Sequence, residues 1–128
     1  MQKHVMYWLD SAEHDLDVAE SLFANEKYDW CLFISHLVLE KTLKAFYVQY
    51  KQDFPPRTHD LVRLADLAGI ILDEETIDFF DLVNTFNIST RYPDEKFIFY
   101  KLCTREFTAG KFARIKEIRQ WLLQKMCS

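Results

Sequence analysis

Between Val5 and Ala24 the apolar residues Leu9, Ala12, Leu16, Ala19 and Phe23 recur every three or four positions, while Asp10, Glu13, Asp17 and Glu20 take the other faces. That period matches the turn of an α-helix and predicts an amphipathic helix over residues 5–24. Asn25-Glu26-Lys27 breaks the pattern. From Tyr28 to Gln52 a second run follows without a glycine or proline, apolar around most of its circumference through Leu32, Val38, Leu39, Leu43, Phe46 and Val48. A helix of that length spans about 36 Å, and one with no broad polar face belongs at the centre of a bundle.

Phe54-Pro55-Pro56 ends this helix. Thr58-His59-Asp60 reads as a cap opening a short helix through Leu61, Leu64, Ala65 and Leu67, which stops at Gly69. Asp73-Glu74-Glu75 opens a fourth, with acids at the positive end of its dipole and Ile77, Phe80, Val83 and Phe86 behind them. Thr90-Arg91-Tyr92-Pro93-Asp94 predicts a loop, because proline disfavours helical geometry in the residue before it. Lys96-Phe97-Ile98-Phe99-Tyr100 carries no decisive pattern, and Thr104 caps a last helix through Phe107, Phe112, Ile115, Ile118, Leu122 and Met126. No repeat, low-complexity segment or boundary divides residues 1–128, so the expectation is a single all-α domain, an antiparallel up-and-down bundle of about five helices.

Composition agrees with that reading. Of the 128 residues, 49% are hydrophobic, enough for a core without disulfides, and two glycines and three prolines are too few for a turn-rich β fold. Cys31, Cys103 and Cys127 form no CxxC pair, which points to a reducing, cytoplasmic setting. No apolar run approaches the roughly 20 residues of a membrane span. The net charge of −4 hides an asymmetry: residues 101–128 carry seven Lys or Arg against two acids, and the rest is strongly acidic. A basic last helix packed across the acidic first one accounts for this more simply than a nucleic-acid patch.

Phosphate-binding glycine loops, HExxH helices and nucleophile elbows are all missing, and no motif calls for a metal or cofactor. Three polar stretches remain. His36, Glu40 and Lys44 lie along one face of the second helix, either as a solvated edge with an internal Glu40–Lys44 pair or as the lining of a groove for a nucleotide or RNA phosphate. Arg57 and His59 flank a helix start, a place that favours anions, although His59 would equally serve as a cap. Arg91 and Tyr92 combine a guanidinium with an aromatic, suited to phosphate contact and base stacking; an ion pair of Arg91 with Asp94 or Glu40 is the structural alternative.

Taken together, Ala12-Glu13-His14-Asp15-Leu16, then His36-Leu37-Val38-Leu39-Glu40-Lys41-Thr42-Leu43-Lys44-Ala45, then His59-Asp60-Leu61, then Arg91-Tyr92-Pro93, resemble the HEPN (higher eukaryotes and prokaryotes nucleotide-binding) domain over nearly the whole chain. The resemblance implies a helical bundle that is usually dimeric and is often partnered with a minimal nucleotidyltransferase, as in toxin–antitoxin modules. It also implies, for many relatives, metal-independent RNase activity resting on an arginine followed four to six residues later by a histidine. This chain departs from that motif: its only histidines are His4, His14, His36 and His59, and none follows Arg91.

The first reading is therefore a non-catalytic homodimer that binds nucleotide or nucleic acid or docks a nucleotidyltransferase, with Arg57, His59, Arg91, Tyr92, His36, Glu40, Lys41 and Lys44 around the groove. The second is an RNase in which His36 or His59 meets Arg91 through folding. The third is a purely structural dimer or heteromer subunit anchored by Tyr7, Trp8, Phe97, Phe99 and Tyr100.

Overall fold

The computed structural model describes residues 1–127, which form six helices: α1 (Gln2–Ala24), α2 (Tyr28–Lys51), α3 (Leu61–Leu67), α4 (Glu74–Ser89), α5 (Pro93–Leu102) and α6 (Arg105–Cys127). No strand occurs among the described residues. α1 and α2 pair along their lengths as an antiparallel hairpin across the Asn25–Lys27 turn, where Glu26 takes a left-handed φ of 62°. α2 also packs against α6, α3, α4 and α5, and so occupies the centre that its near-continuous apolar surface requires.

The core is built on α2 through Leu32, Leu39 and Leu43, with Leu61 and Leu64 from α3, Phe80 and Phe86 from α4, and Ile115 and Leu122 from α6. The hydroxyls buried on α2 are satisfied within the helix. Ser35 donates to the Cys31 carbonyl and Thr42 to the Val38 carbonyl, each at 2.7 Å.

Local chemistry sets the helix ends. α2 stops at Gln52, whose left-handed conformation (φ 54°) lets its amide reach the Val48 carbonyl before the proline pair is reached. Asp60 caps α3 by accepting from the Val62 and Arg63 amides, and Gly69 leaves the helix at φ 78°. Asp73 caps α4 with Glu74 and Glu75 in its first turn, and Thr104 accepts from the Phe107 amide at the start of α6.

The loop expected at residues 90–94 is shorter than its sequence suggests. Pro93 stands in the first turn of α5, where its missing N–H costs nothing, so Asp94 and the unassigned Lys96–Tyr100 stretch are helical. This adds a sixth helix to the five that the periodicity supports. α5 is held by Phe99, which packs on Phe86 at 5.3 Å, and by Cys103 just beyond it. Phe99 is thus a core residue and not a surface anchor.

The basic last helix does meet the acidic first one: Lys116 pairs with Glu20 at 2.9 Å and Arg119 pairs with Glu13. Among the described residues no helix is long and apolar enough to cross a membrane.

Replacing Leu39, fully buried at the middle of α2, by alanine is expected to destabilise the fold by about 3 kcal/mol through lost transfer energy and the cavity left behind, read as a fall in the denaturant midpoint. A loss below about 1 kcal/mol would mean that the centre of the bundle is not close-packed.

Candidate functional site

The polar stripe on α2 is buried. Glu40 is only 4% exposed, and His36 and Lys44 lie beside it in the interior. A carboxylate and an ammonium taken from water must each find partners, and here they find each other: Lys44 Nζ donates to Glu40 Oε2 at 3.0 Å. The expected Glu40–Lys44 pair therefore forms, but it is not a solvated edge. Lys44 also lies 5.3 Å from the ring centroid of Trp8 on α1, a cation–π contact between helices that no spacing along the chain could locate.

Glu40's other oxygen leaves the helix. Oε1 accepts a 2.8 Å hydrogen bond from His59 Nδ1, on the segment that enters α3. Because a carboxylate can only accept, Nδ1 carries the proton, and Nε2 remains as the ring's outer nitrogen on a side chain 57% exposed. The backbone of the same residue is held as well, since His36 Nε2 donates to the His59 carbonyl at 2.9 Å. His36 Nδ1 then lies 3.9 Å from Glu40 Oε1 with no hydrogen-bond partner among the described residues. Burial holds the His36 imidazole below its ordinary value of 6.5, despite the carboxylate beside it and the bond to the His59 carbonyl.

Three residues on α2, His36, Glu40 and Lys44, and one at the α3 entrance thus form one connected unit with an exposed imidazole. α4 steadies it through Asn84, which accepts from the Leu61 amide and donates to Asp60 Oδ1, each at 3.0 Å. Asn84 was missed in the sequence; its only signal was an amide among the apolar residues of α4.

The remaining candidates are placed differently. Lys41 turns to α1 and is held by Asp15 at 2.7 Å and by the Ser11 hydroxyl at 2.8 Å, so it belongs to the helix pair and not to a groove. Arg57 and Arg91 are exposed, and neither side chain has a hydrogen-bond or ion-pair partner among the described residues. Neither the Arg91–Asp94 nor the Arg91–Glu40 ion pair exists, and no side-chain bond joins Arg91 to His36 or His59. Tyr92 is exposed at the head of α5. The anion seat expected at the start of α3 is filled by the chain itself, because the Asp60 carboxylate takes the first amides of this seven-residue helix.

A groove of about 560 Å³ between the start of α4 and α6, lined by Asp73, Thr76, Arg114 and Trp121 among others, contains none of the candidate residues. Among the described residues no three His, Cys, Asp or Glu side chains gather to hold a metal ion. Burial pushes the Cys31 and Cys103 thiols up to about 12, which makes them poor nucleophiles.

Two outcomes test this network. Glu40→Ala, which strands a buried Lys44, is expected to cost about 3 kcal/mol, measured by denaturant titration; a cost near zero would mean that Lys44 readily escapes to water. His36 resists protonation when folded, so the unfolded chain takes up the proton first as the pH falls through 6.5. Stability is complete above that pH and is lost below it, with a slope of up to about 1.4 kcal/mol per pH unit from this residue. His36→Gln should flatten the melting-temperature profile between pH 7 and 5 relative to wild type, and parallel profiles would show that His36 does not couple folding to protons.

The HEPN domain model matches residues 5–126 of this chain. The fold is similar to that of TT1696 from Thermus thermophilus, known from a crystal structure, with a TM-score of 0.78 and 22% identity over 94% of this chain and 97% of that one. No curated protein matches the chain. With the family model spanning almost the full length and the helical bundle to accompany it, the chain belongs to the HEPN domain family.

Proposed function

We propose that this HEPN protein is a homodimer that binds nucleotide or nucleic acid in the cytoplasm without cleaving it, alongside a minimal nucleotidyltransferase in a toxin–antitoxin-like module. The family supports the nucleotide-binding class. The observation that carries the reading to particular residues is the His59 imidazole, clamped at Nδ1 by the buried Glu40 and presenting its other edge outward. The unpaired guanidinium of Arg57 stands two residues away. A guanidinium with no partner of its own suits a phosphate group, whose oxygens accept its N–H donors, and the outward Nε2 of His59 is placed to accept from a hydroxyl or amino group of the same ligand. Arg91 and Tyr92, exposed together before α5, offer a second guanidinium and a ring for base stacking.

The same clamp favours a second reading, a metal-independent RNase. A carboxylate-oriented imidazole is a competent general base, and Arg57 or Arg91 would supply charge to the phosphate. Against it stands the lack of any histidine after Arg91.

The two readings separate in one experiment. A fluorescent single-stranded RNA and ATP are titrated into wild type, His59→Ala, Arg57→Ala and Arg91→Ala in the presence of chelator. Binding without cleavage is expected, weakened by roughly 1–3 kcal/mol in each variant with the fold intact. RNA cleavage abolished by His59→Ala would establish the second reading, and no binding of either probe would overturn both.

A further inference from the structure

α4 and α6 each pack on α2 more than on one another, and a trough runs along the seam between them. Arg114 crosses it, its guanidinium 5.7 Å from the centroid of the Phe79 ring and paired with Glu117 at 4.0 Å. On one side of Arg114 the trough opens to about 560 Å³ against Ile71, Ile118 and Trp121, and on the other to about 420 Å³ against Phe79, Leu82 and Gly110. Ile71 is 92% exposed. Between Gly110 and Trp121 the trough follows α6 for about 16 Å, the length of three helical turns.

Two features of this trough cost local stability and answer no need inside the chain. Gly110 lies within α6, where a glycine is destabilising relative to alanine. Its backbone is not left-handed, and a Cβ at this position would meet nothing within 4 Å, so no neighbour in the fold requires a glycine. Along the facing edge, Glu74, Asp78 and Asp81 form one stripe of α4 at i, i+4 and i+7 spacing, with Glu75 beside them. All four are exposed, and none has an ion-pair partner among the described residues. On α1, by contrast, Glu13, Asp15 and Glu20 are each matched by a cation from a neighbouring helix. The helix dipole accounts for the glutamates of the first turn of α4, but Asp78 and Asp81 lie beyond it and repel their neighbours.

A bare stretch of helix backbone lets a second chain come close, and a row of unmatched carboxylates sets the charge of what comes. We infer that the α4–α6 trough is a docking groove for a basic amphipathic helix of a partner protein. Its apolar stripe lies against Ile71, Ile118 and Trp121 and crosses Gly110, and its Lys or Arg side chains, one turn apart, meet Glu74, Asp78 and Asp81. The same carboxylates repel nucleic acid. The trough contains none of the residues of the nucleotide reading, so the inference goes beyond that reading and does not depend on it.

The test is a displayed library of random helical peptides about four turns long, selected on the full wild-type chain and counter-selected on Gly110→Phe, whose ring would fill the trough. The enriched peptides are expected to carry Lys or Arg at i, i+4 and i+7 opposite an apolar stripe. A fluorescently labelled member should bind wild type and lose roughly tenfold in affinity with Gly110→Phe and with Asp78→Lys/Asp81→Lys. Gly110→Ala is expected to melt above wild type, and a lower melting temperature would show that the glycine belongs to the fold and sink the inference. So would enrichment of acidic or neutral peptides, or binders indifferent to both variants. A wild-type assembly that loses mass on Gly110→Phe in sedimentation would give the groove to a second copy, and labelled RNA that binds Gly110→Phe more weakly would give it to nucleic acid; either result overturns the proposal. Should Gly110→Phe fail to fold, Asp78→Lys/Asp81→Lys decides alone, because both side chains are exposed.

Discussion

The arrangement around the site follows from one buried carboxylate. Glu40 sits near the middle of a helix with almost no solvent-facing surface, and an unpartnered charge there would cost several kcal/mol. Its two oxygens are answered from opposite directions, by Lys44 one turn along the same helix and by His59 from the segment leading to α3. The first bond is local. The second ties a connection of some nine residues to the centre of the bundle and fixes the tautomer of an exposed imidazole. His36 completes the attachment by holding the His59 carbonyl, so both the ring and the backbone of that residue are held. The same bonds that stabilise the α3 entrance therefore orient the one histidine that combines exposure with a buried anchor.

Charge is distributed with a comparable economy. Two cations of the last helix are committed to the acidic first one, through Lys116–Glu20 and Arg119–Glu13, and Lys41 is committed to Asp15. Cations engaged in this way are not available to an anionic ligand. Arg57 and Arg91, which have no such partner among the described residues, flank α3 and α5 respectively.

Membership of the HEPN family makes the lack of an arginine–histidine pair after α4 informative. The proton-transfer group of an RNase would have to come from elsewhere. The chain does hold an oriented imidazole, but on the α3 entrance and joined by no bond to Arg91. Binding needs only a donor and a cation near a phosphate, whereas cleavage needs a base within reach of a hydroxyl and a charge at the departing oxygen together.

Sequence alone determined the helices whose period and caps are local: α1 from its three-to-four spacing, α2 from its apolar circumference, and α3, α4 and α6 from Asp60, Asp73 and Thr104. The Glu40–Lys44 pair was equally legible, because four residues of helix bring the two together wherever the helix lies. α5 was not, since Pro93 reads as a breaker until it is seen in a first turn, and the helix is anchored only by Phe99 and Cys103. Whether the stripe on α2 was wet or dry, whether His59 capped a helix or met Glu40, and which arginine stayed unpaired were decided by the tertiary structure. Burial and bonds between residues distant in the chain depend on how the helices are assembled around α2, and no local spacing encodes that.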